Sequence, residues 1–130
     1  MEQAAILIAD DNPEIREIIQ ILLSGEGFQV HEAASGTQAL GMLKENTFDL
    51  IILDIMMPGL NGYQTCLEIR KNTNVPILFL SARTQESDKT LGFSSGGDDY
   101  LAKPFSYAEL VSRAKAMIRR YQVYQGKPAQ

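Results

Sequence analysis

One cysteine, Cys66, and one histidine, His31, are present in 130 residues. A lone cysteine forms no disulfide within the chain and leaves no cysteine cluster to hold a metal. No apolar run approaches the roughly 20 residues of a membrane-spanning helix. The opening stretch MEQAAILIADD lacks the basic segment and cleavage site of a signal peptide. Basic residues are outnumbered, 12 against 16 acidic, for a formal charge of −4. Phosphate contacts need a basic face, so direct nucleic-acid binding by this chain is not expected. No internal repeat is visible. What remains, 45% apolar and 22% charged residues, is the composition of a soluble globular domain long enough to bury a core. A cytoplasmic protein with no membrane partner is the plain expectation.

Apolar runs alternate with amphipathic ones along the chain. Ala5–Ala9, Phe28–Ala33, Leu50–Leu53, Ile77–Leu80 and Tyr100–Ala102 read as strands, short and mostly continuous. Helical patterns separate them. In the first, Ile15, Ile18, Ile19, Leu22 and Leu23 share one face behind an Asn12 cap and Pro13, with Gly25 and Gly27 at its end. Ser35 with Gln38, and Ser106 with Glu109, have capping-box spacing for the second and fifth helices. After Gly62, the residues Tyr63, Cys66 and Leu67 follow the spacing of one buried face, with Cys66 a small core hydrophobe. Ser87–Ser95 is a poor helix, with few apolar residues and Gly92 inside it. This β-α alternation, repeated five times, predicts an α/β fold: a doubly wound parallel sheet in the order 2-1-3-4-5, with helices on both faces. The domain is expected to span residues 1–121, with 122–130 a C-terminal tail or the start of a linker.

In such a sheet, function gathers beyond the carboxyl ends of the strands, where the strand order reverses. Asp10 and Asp11 follow the first predicted strand, Asp54 the third, Ser81 the fourth and Lys103-Pro104 the fifth. Each alone has an ordinary structural explanation. An aspartate before Asn12 prepares a helix start, Asp54 before Pro58-Gly59 suits a turn, Ser81 suits a cap, and Lys103 suits a solvated surface. Gathered at one edge, they are hard to produce by chance. Converging carboxylates repel and raise one another's pKa values, a conflict that a hard divalent cation such as Mg²⁺ removes. With that charge neutralised, Asp54 stands as a nucleophile toward a phosphoryl group, and Lys103 and Ser81 meet the phosphoryl oxygens. His31 lies away from this edge and reads as structural or exposed.

ADDN around Asp10-Asp11, LDIMMPGLNG around Asp54, LSA around Ser81 and GGDDYLAKPF around Lys103 resemble the receiver domain of two-component response regulators. The resemblance runs over about residues 5–121. It implies the flavodoxin-like receiver fold, and that Asp54 accepts a phosphoryl group from the phosphohistidine of a sensor histidine kinase. It implies that Asp11, Asp54 and the main-chain carbonyl of Met56 bind Mg²⁺ or Mn²⁺, with Asp10 holding a metal-bound water. It places Lys103 against the phosphoryl group, makes Lys103-Pro104 a cis peptide, and casts Ser81 and Tyr100 as a switch pair that move together. Such a domain is a signalling switch and not a turnover enzyme, although it assists its own phosphotransfer and autodephosphorylation.

The closing motif DDYLAKPFSYAELVSRAKAMIRR is similar to that of the OmpR/PhoB-type subclass, transcription factors with a winged-helix DNA-binding domain. In that subclass phosphorylation drives homodimerisation through the fourth helix, fifth strand and fifth helix. The likeness implies intersubunit pairs of Lys89 with Glu109 and Asp99 with Arg113, beside apolar contacts from Phe93 and Val111. Lys115 meets Ser94 where an acidic partner is expected, and Thr90 stands at an apolar position, so a weak or altered dimer is expected. Gly97, where the subclass has alanine, loosens the turn before the fifth strand. Arg119-Arg120 read as complements to a helix dipole. Three rival readings fit less well. A phosphatase of the haloacid-dehalogenase type would need an acid/base aspartate where Met56 stands. A flavin-binding carrier would need a glycine- and hydroxyl-rich loop in place of ADDNPE. A receiver kept only as an unphosphorylated scaffold would not need the intact set Asp10, Asp11, Asp54, Ser81 and Lys103.

Overall fold

Continuous aliphatic strands are stable only when both faces are covered, and this chain supplies the cover from its helices. The computed structural model describes residues 3–82 and 94–124. Its elements are β1 (Ala5–Ala9), α1 (Pro13–Gly25), β2 (Gln29–Ala33), α2 (Gly36–Glu45), β3 (Leu50–Asp54), α3 (Gly62–Arg70), β4 (Ile77–Ser81), β5 (Asp99–Ala102) and α4 (Tyr107–Tyr124). The strands are all parallel, in the predicted order β2-β1-β3-β4-β5. Most of the helix predicted at Ser87–Ser95 lies outside the described residues.

Every residue of β3 is buried, and alternate residues feed opposite cores. Ile51 and Leu53 pack on the α2–α3 side with Ala39, Cys66 and Ile69. Leu50 and Ile52 pack on the other side with Ile19 and Leu23 of α1 and Leu110 and Ala114 of α4. Each fully buried aliphatic side chain contributes roughly 1.5–3 kcal/mol, so this central strand anchors both layers at once.

The helix starts follow local chemistry. The Asn12 side chain accepts hydrogen bonds from Glu14 N and Ile15 N at 2.9 and 3.4 Å, and Pro13 occupies the first helical position. The Ser35 hydroxyl accepts from Gln38 N, and the Ser106 hydroxyl from Glu109 N, each at 3.0 Å. Asn61 and Gln64 form a reciprocal capping box at the start of α3.

Three sequence expectations change. Leu67 is 52% exposed rather than buried, and Ile69 takes the inner position beside Tyr63 and Cys66. The α3 helix has 9 residues, too few turns for the i+3 and i+4 positions to reveal which side faces inward. Ile18 of α1 is also largely exposed, while Ile19 and Leu23 are fully buried. Finally, α4 continues to Tyr124. Arg119-Arg120 therefore sit within the helix rather than at its end.

At the edge of the sheet opposite the acidic residues, Arg70 joins three separate segments. Its guanidinium donates to the carbonyls of Gly96 and Val75 at 2.8 and 2.7 Å and to the Asp98 carboxylate at 2.7 Å. That carboxylate also accepts from Ile77 N at 2.8 Å, and Asp98 N donates to the Ile77 carbonyl at 3.0 Å. The starts of β4 and β5 are thereby tied to the end of α3. Nearby, Gly97 faces the Phe79 ring so closely that a Cβ there would lie 2.1 Å from a ring carbon. The glycine admits the Phe79 ring, which meets Tyr63 edge-to-face at 5.4 Å. Gly97 is packed tightly, where a loosened turn is expected.

Candidate functional site

The strands deliver their polar ends to one place. Asp10 follows β1 directly, Asp54 and Ser81 are the last residues of β3 and β4, and Lys103 follows β5. Asp10 and Ser81 are fully buried and Asp54 is 4% exposed, whereas Asp11 is exposed. One carboxylate oxygen from each of Asp10, Asp11 and Asp54 lies within 4.8 Å of the others. Among the described residues no other group of histidine, cysteine or acidic side chains comes together in this way. The Lys103 ammonium donates to Asp10 Oδ2 and Asp54 Oδ1, each at 3.2 Å. Its own N–H donates to the Ser81 carbonyl at 2.7 Å, fixing the lysine beside the end of β4. The Lys103-Pro104 peptide is cis.

The charges do not balance. One ammonium faces more than one carboxylate, in a setting that withholds water. Burial first and the Asp10 charge second, against the opposing Lys103, lift the Asp54 carboxyl from its ordinary 3.8 to about 6. The donor set is anionic and all oxygen, which suits a hard divalent cation. A cation there would supply the missing positive charge.

Asp10 serves the helix start as well as the site. Its Oδ1 accepts from Asn12 N at 2.9 Å, so the ordinary role of an aspartate before a helix cap and a place in the acidic cluster coexist. Tyr100 is buried and belongs to the core cluster that holds Tyr63 and Phe79, and it pairs in register with Phe79. Met56 lies in the loop after β3 with its side chain 55% exposed.

The expected dimer residues are only partly described. Lys89, Thr90 and Phe93 lie outside the described residues. Asp99 and Arg113, expected to pair between subunits, pair within the chain: Nη1 donates to both Asp99 oxygens at 2.8 and 2.7 Å. Arg113 also reaches Glu109 at 3.1 Å, and these bonds, Asp99 first, raise its already high pKa. Lys115 pairs with Glu26 beyond the end of α1. Val111 is half-buried against the α1–α4 core. His31, on the edge strand β2, meets Phe48 edge-to-face at 5.4 Å, away from the acidic cluster. Cys66 donates to the Ser95 carbonyl at 3.3 Å, and burial raises its thiol pKa.

Two supporting residues stand outside the candidate set that the sequence names. Gly62 N donates to the Ile55 carbonyl at 3.0 Å, and a Cβ on it would lie 2.6 Å from the Asp54 carbonyl oxygen. Arg16 Nη1 donates to the Asp10 carbonyl at 2.6 Å. Gly62 closes the stretch LDIMMPGLNG with no role assigned to it, and Arg16 is the one basic residue in PEIREIIQILLSG. Both act on main-chain atoms of other elements, which side-chain patterning does not reveal.

The strand ends thus bring a buried aspartate, an acidic pair and a lysine together at one edge of the sheet. The sequence pattern of the response regulator receiver domain matches residues 6–115, and the chain belongs to that family. It is 48% identical over 125 residues to YrkP of Bacillus subtilis, named as a transcriptional regulatory protein, covering 96% of this chain and 54% of YrkP. The chain spans about half the length of the curated relatives it matches. The receiver domain of the Francisella response regulator 1452 has the same fold, with a TM-score of 0.87 at 37% identity over 91% of this chain and 98% of that one. TrrA from Thermotoga maritima, whose structure is a complex with Mg²⁺ and BeF, gives 0.81 at 34% identity, over 88% of this chain and 99% of TrrA. A response regulator receiver is a signalling component, and among the described residues no helix is long and apolar enough to cross a membrane.

Proposed function

We propose that Asp54 is the phospho-acceptor of this receiver and takes its phosphoryl group from the phosphohistidine of a sensor histidine kinase. The observation that carries the reading is the placement of Lys103 Nζ 3.2 Å from both Asp54 and Asp10, within a carboxylate cluster at the strand ends. In the transfer, an Asp54 carboxylate oxygen bonds to phosphorus as the phosphorus–nitrogen bond of the phosphohistidine breaks. The imidazole leaves and takes up a proton. Lys103 is already beside the attacking carboxylate and meets the charge of the incoming phosphoryl oxygens. Ser81, at the end of β4, offers its hydroxyl to the same oxygens.

Asp11, Asp54 and the Met56 carbonyl, with Asp10 through a water, are the residues that would hold Mg²⁺ or Mn²⁺. Held there, such an ion would neutralise charge on the phosphoryl group and among the carboxylates. The complex of TrrA with Mg²⁺ and BeF, on the same fold, supports this choice. Asp54 acts as a nucleophile only when ionised, and its pKa of about 6 in the absence of metal leaves most of it ionised at neutral pH.

Phosphorylation then moves Ser81 and Tyr100 together and alters the face that carries β5 and α4. The output is transcriptional control by a DNA-binding domain outside this chain, a reading supported by the name of YrkP and by its greater length. Homodimerisation through that face is weaker than in the subclass, since Arg113 and Lys115 already have partners in their own chain. The chain works in the cytoplasm as a switch that assists its own phosphorylation and dephosphorylation.

Intact-protein mass after incubation with acetyl phosphate tests the assignment. Wild type gains one phosphoryl unit only with Mg²⁺, and Asp54→Ala gains none. An equal gain in Asp54→Ala would remove Asp54 from the role.

A further inference from the structure

We propose that Arg16 is a positioning residue for the phosphorylation site, acting through the main chain of Asp10; the proposal rests on the metal-dependent reading above. Asp10 is gripped at both ends and along its side chain. Its N–H donates to the Ala33 carbonyl at 3.2 Å, Oδ1 accepts from Asn12 N at 2.9 Å, and Oδ2 accepts from Lys103 at 3.2 Å. The remaining polar atom is the carbonyl oxygen. β1 ends at Ala9, and the partner of the Asp10 carbonyl is the Arg16 guanidinium, reaching back from α1 at 2.6 Å. Arg16 is itself held from the far side by Glu32 of β2, with Nε 3.4 Å from Oε1 and its side chain 17% exposed.

The consequence falls on Asp11. A peptide unit is planar, so fixing the Asp10 carbonyl fixes the N–H and the Cα direction of Asp11. Asp11 is exposed, and its carboxylate makes no hydrogen bond among the described residues. Its direction toward Asp10 and Asp54 is therefore set by its backbone. Arg16 controls that backbone from outside the cluster, as an outer-shell partner orients a metal ligand.

Two other roles for Arg16 predict different signs. A guanidinium acting only by its charge opposes a nearby cation, so its removal would tighten Mg²⁺ binding. A merely structural arginine would lower stability and leave Mg²⁺ affinity unchanged. Positioning predicts weaker binding. The test is calorimetric titration of the full chain with Mg²⁺ alone, beside urea unfolding in chelator, for wild type, Arg16→Met and Arg16→Lys. Arg16→Met keeps the apolar stem and removes every donor; its Mg²⁺ dissociation constant should rise roughly tenfold. Arg16→Lys keeps the charge and a donor but not the fork that spans Asp10 and Glu32, so its constant should rise about threefold. An unchanged or tighter constant in Arg16→Met overturns the proposal. If Arg16→Met does not fold, Arg16→Lys decides, and a wild-type constant there overturns it. A wild type that takes up no Mg²⁺ would instead overturn the metal site itself, before the variants are compared.

Discussion

Replacing Asp54 with asparagine should make the metal-free protein more stable at neutral pH, against the usual effect of altering a buried polar residue. In the fold, burial and Asp10 hold the Asp54 carboxyl at about 6, against 3.8 for an ordinary aspartate. Below about pH 4 the group is protonated in both folded and unfolded chains and costs nothing. Between the two values the unfolded chain gives up the proton while the folded chain keeps it, so stability falls as pH rises. Above about pH 6 the loss is complete, and about two pKa units correspond to at most about 3 kcal/mol. Asparagine avoids that loss but leaves Lys103 with Asp10 alone and needs partners for its amide, so a net gain of about 1–2 kcal/mol is expected. Urea denaturation in chelator, followed by circular dichroism across this range, reads the difference directly. At acid pH, where the charge costs nothing, Asp54→Asn should be the less stable by that offset, and the difference should reverse and reach its full size above about pH 6. Added Mg²⁺ should stabilise wild type more than Asp54→Asn. A difference independent of pH, or a less stable Asp54→Asn at neutral pH, would refute the claim that the site holds an uncompensated charge.

Lys103→Ala should retain Mg²⁺ binding, because the carboxylates remain, yet fail to pass phosphorylation on to β5 and α4; amide chemical shifts before and after acetyl phosphate would show it, and a full rearrangement would overturn the lysine's role. Gly97→Ala should cost roughly 1–3 kcal/mol, since its methyl meets the Phe79 ring. Combining it with Phe79→Met should recover part of that loss in a double-mutant cycle, and strict additivity would contradict the packing. Gly62→Ala should displace the loop after β3, because its methyl would lie 2.6 Å from the Asp54 carbonyl oxygen. Phosphorylation by acetyl phosphate should slow at least several-fold while the chain stays folded; a wild-type rate would show that the loop tolerates the shift.

Most of the sheet was legible because its three central strands are buried on both faces and read as aliphatic runs, as at Leu50–Leu53. The gathering of Asp10, Asp54, Ser81 and Lys103 followed from the topology, since parallel strands deliver their ends to one edge. The inner face of α3 was not legible: with so short a helix, Leu67 and Ile69 fit the pattern equally well until the neighbouring layers choose between them. Nor could pairing on the β5–α4 face be assigned, because charge complementarity between Asp99 and Arg113 does not say whether the partner is in the same chain. Arg16 and Gly62 were hidden for a related reason. Their partners are carbonyl oxygens, which every residue carries.

Arg70 has a mechanical consequence. By binding Val75, Gly96 and Asp98 it makes the amino ends of β4 and β5 behave as one clamped end of a beam. A beam held at one end cannot relieve a push by sliding, so its displacement grows toward the free end. Ser81 and Lys103 stand at that free end, joined by a backbone hydrogen bond. A force applied there is taken up by the two strands bending together instead of dissipating as a slip in register.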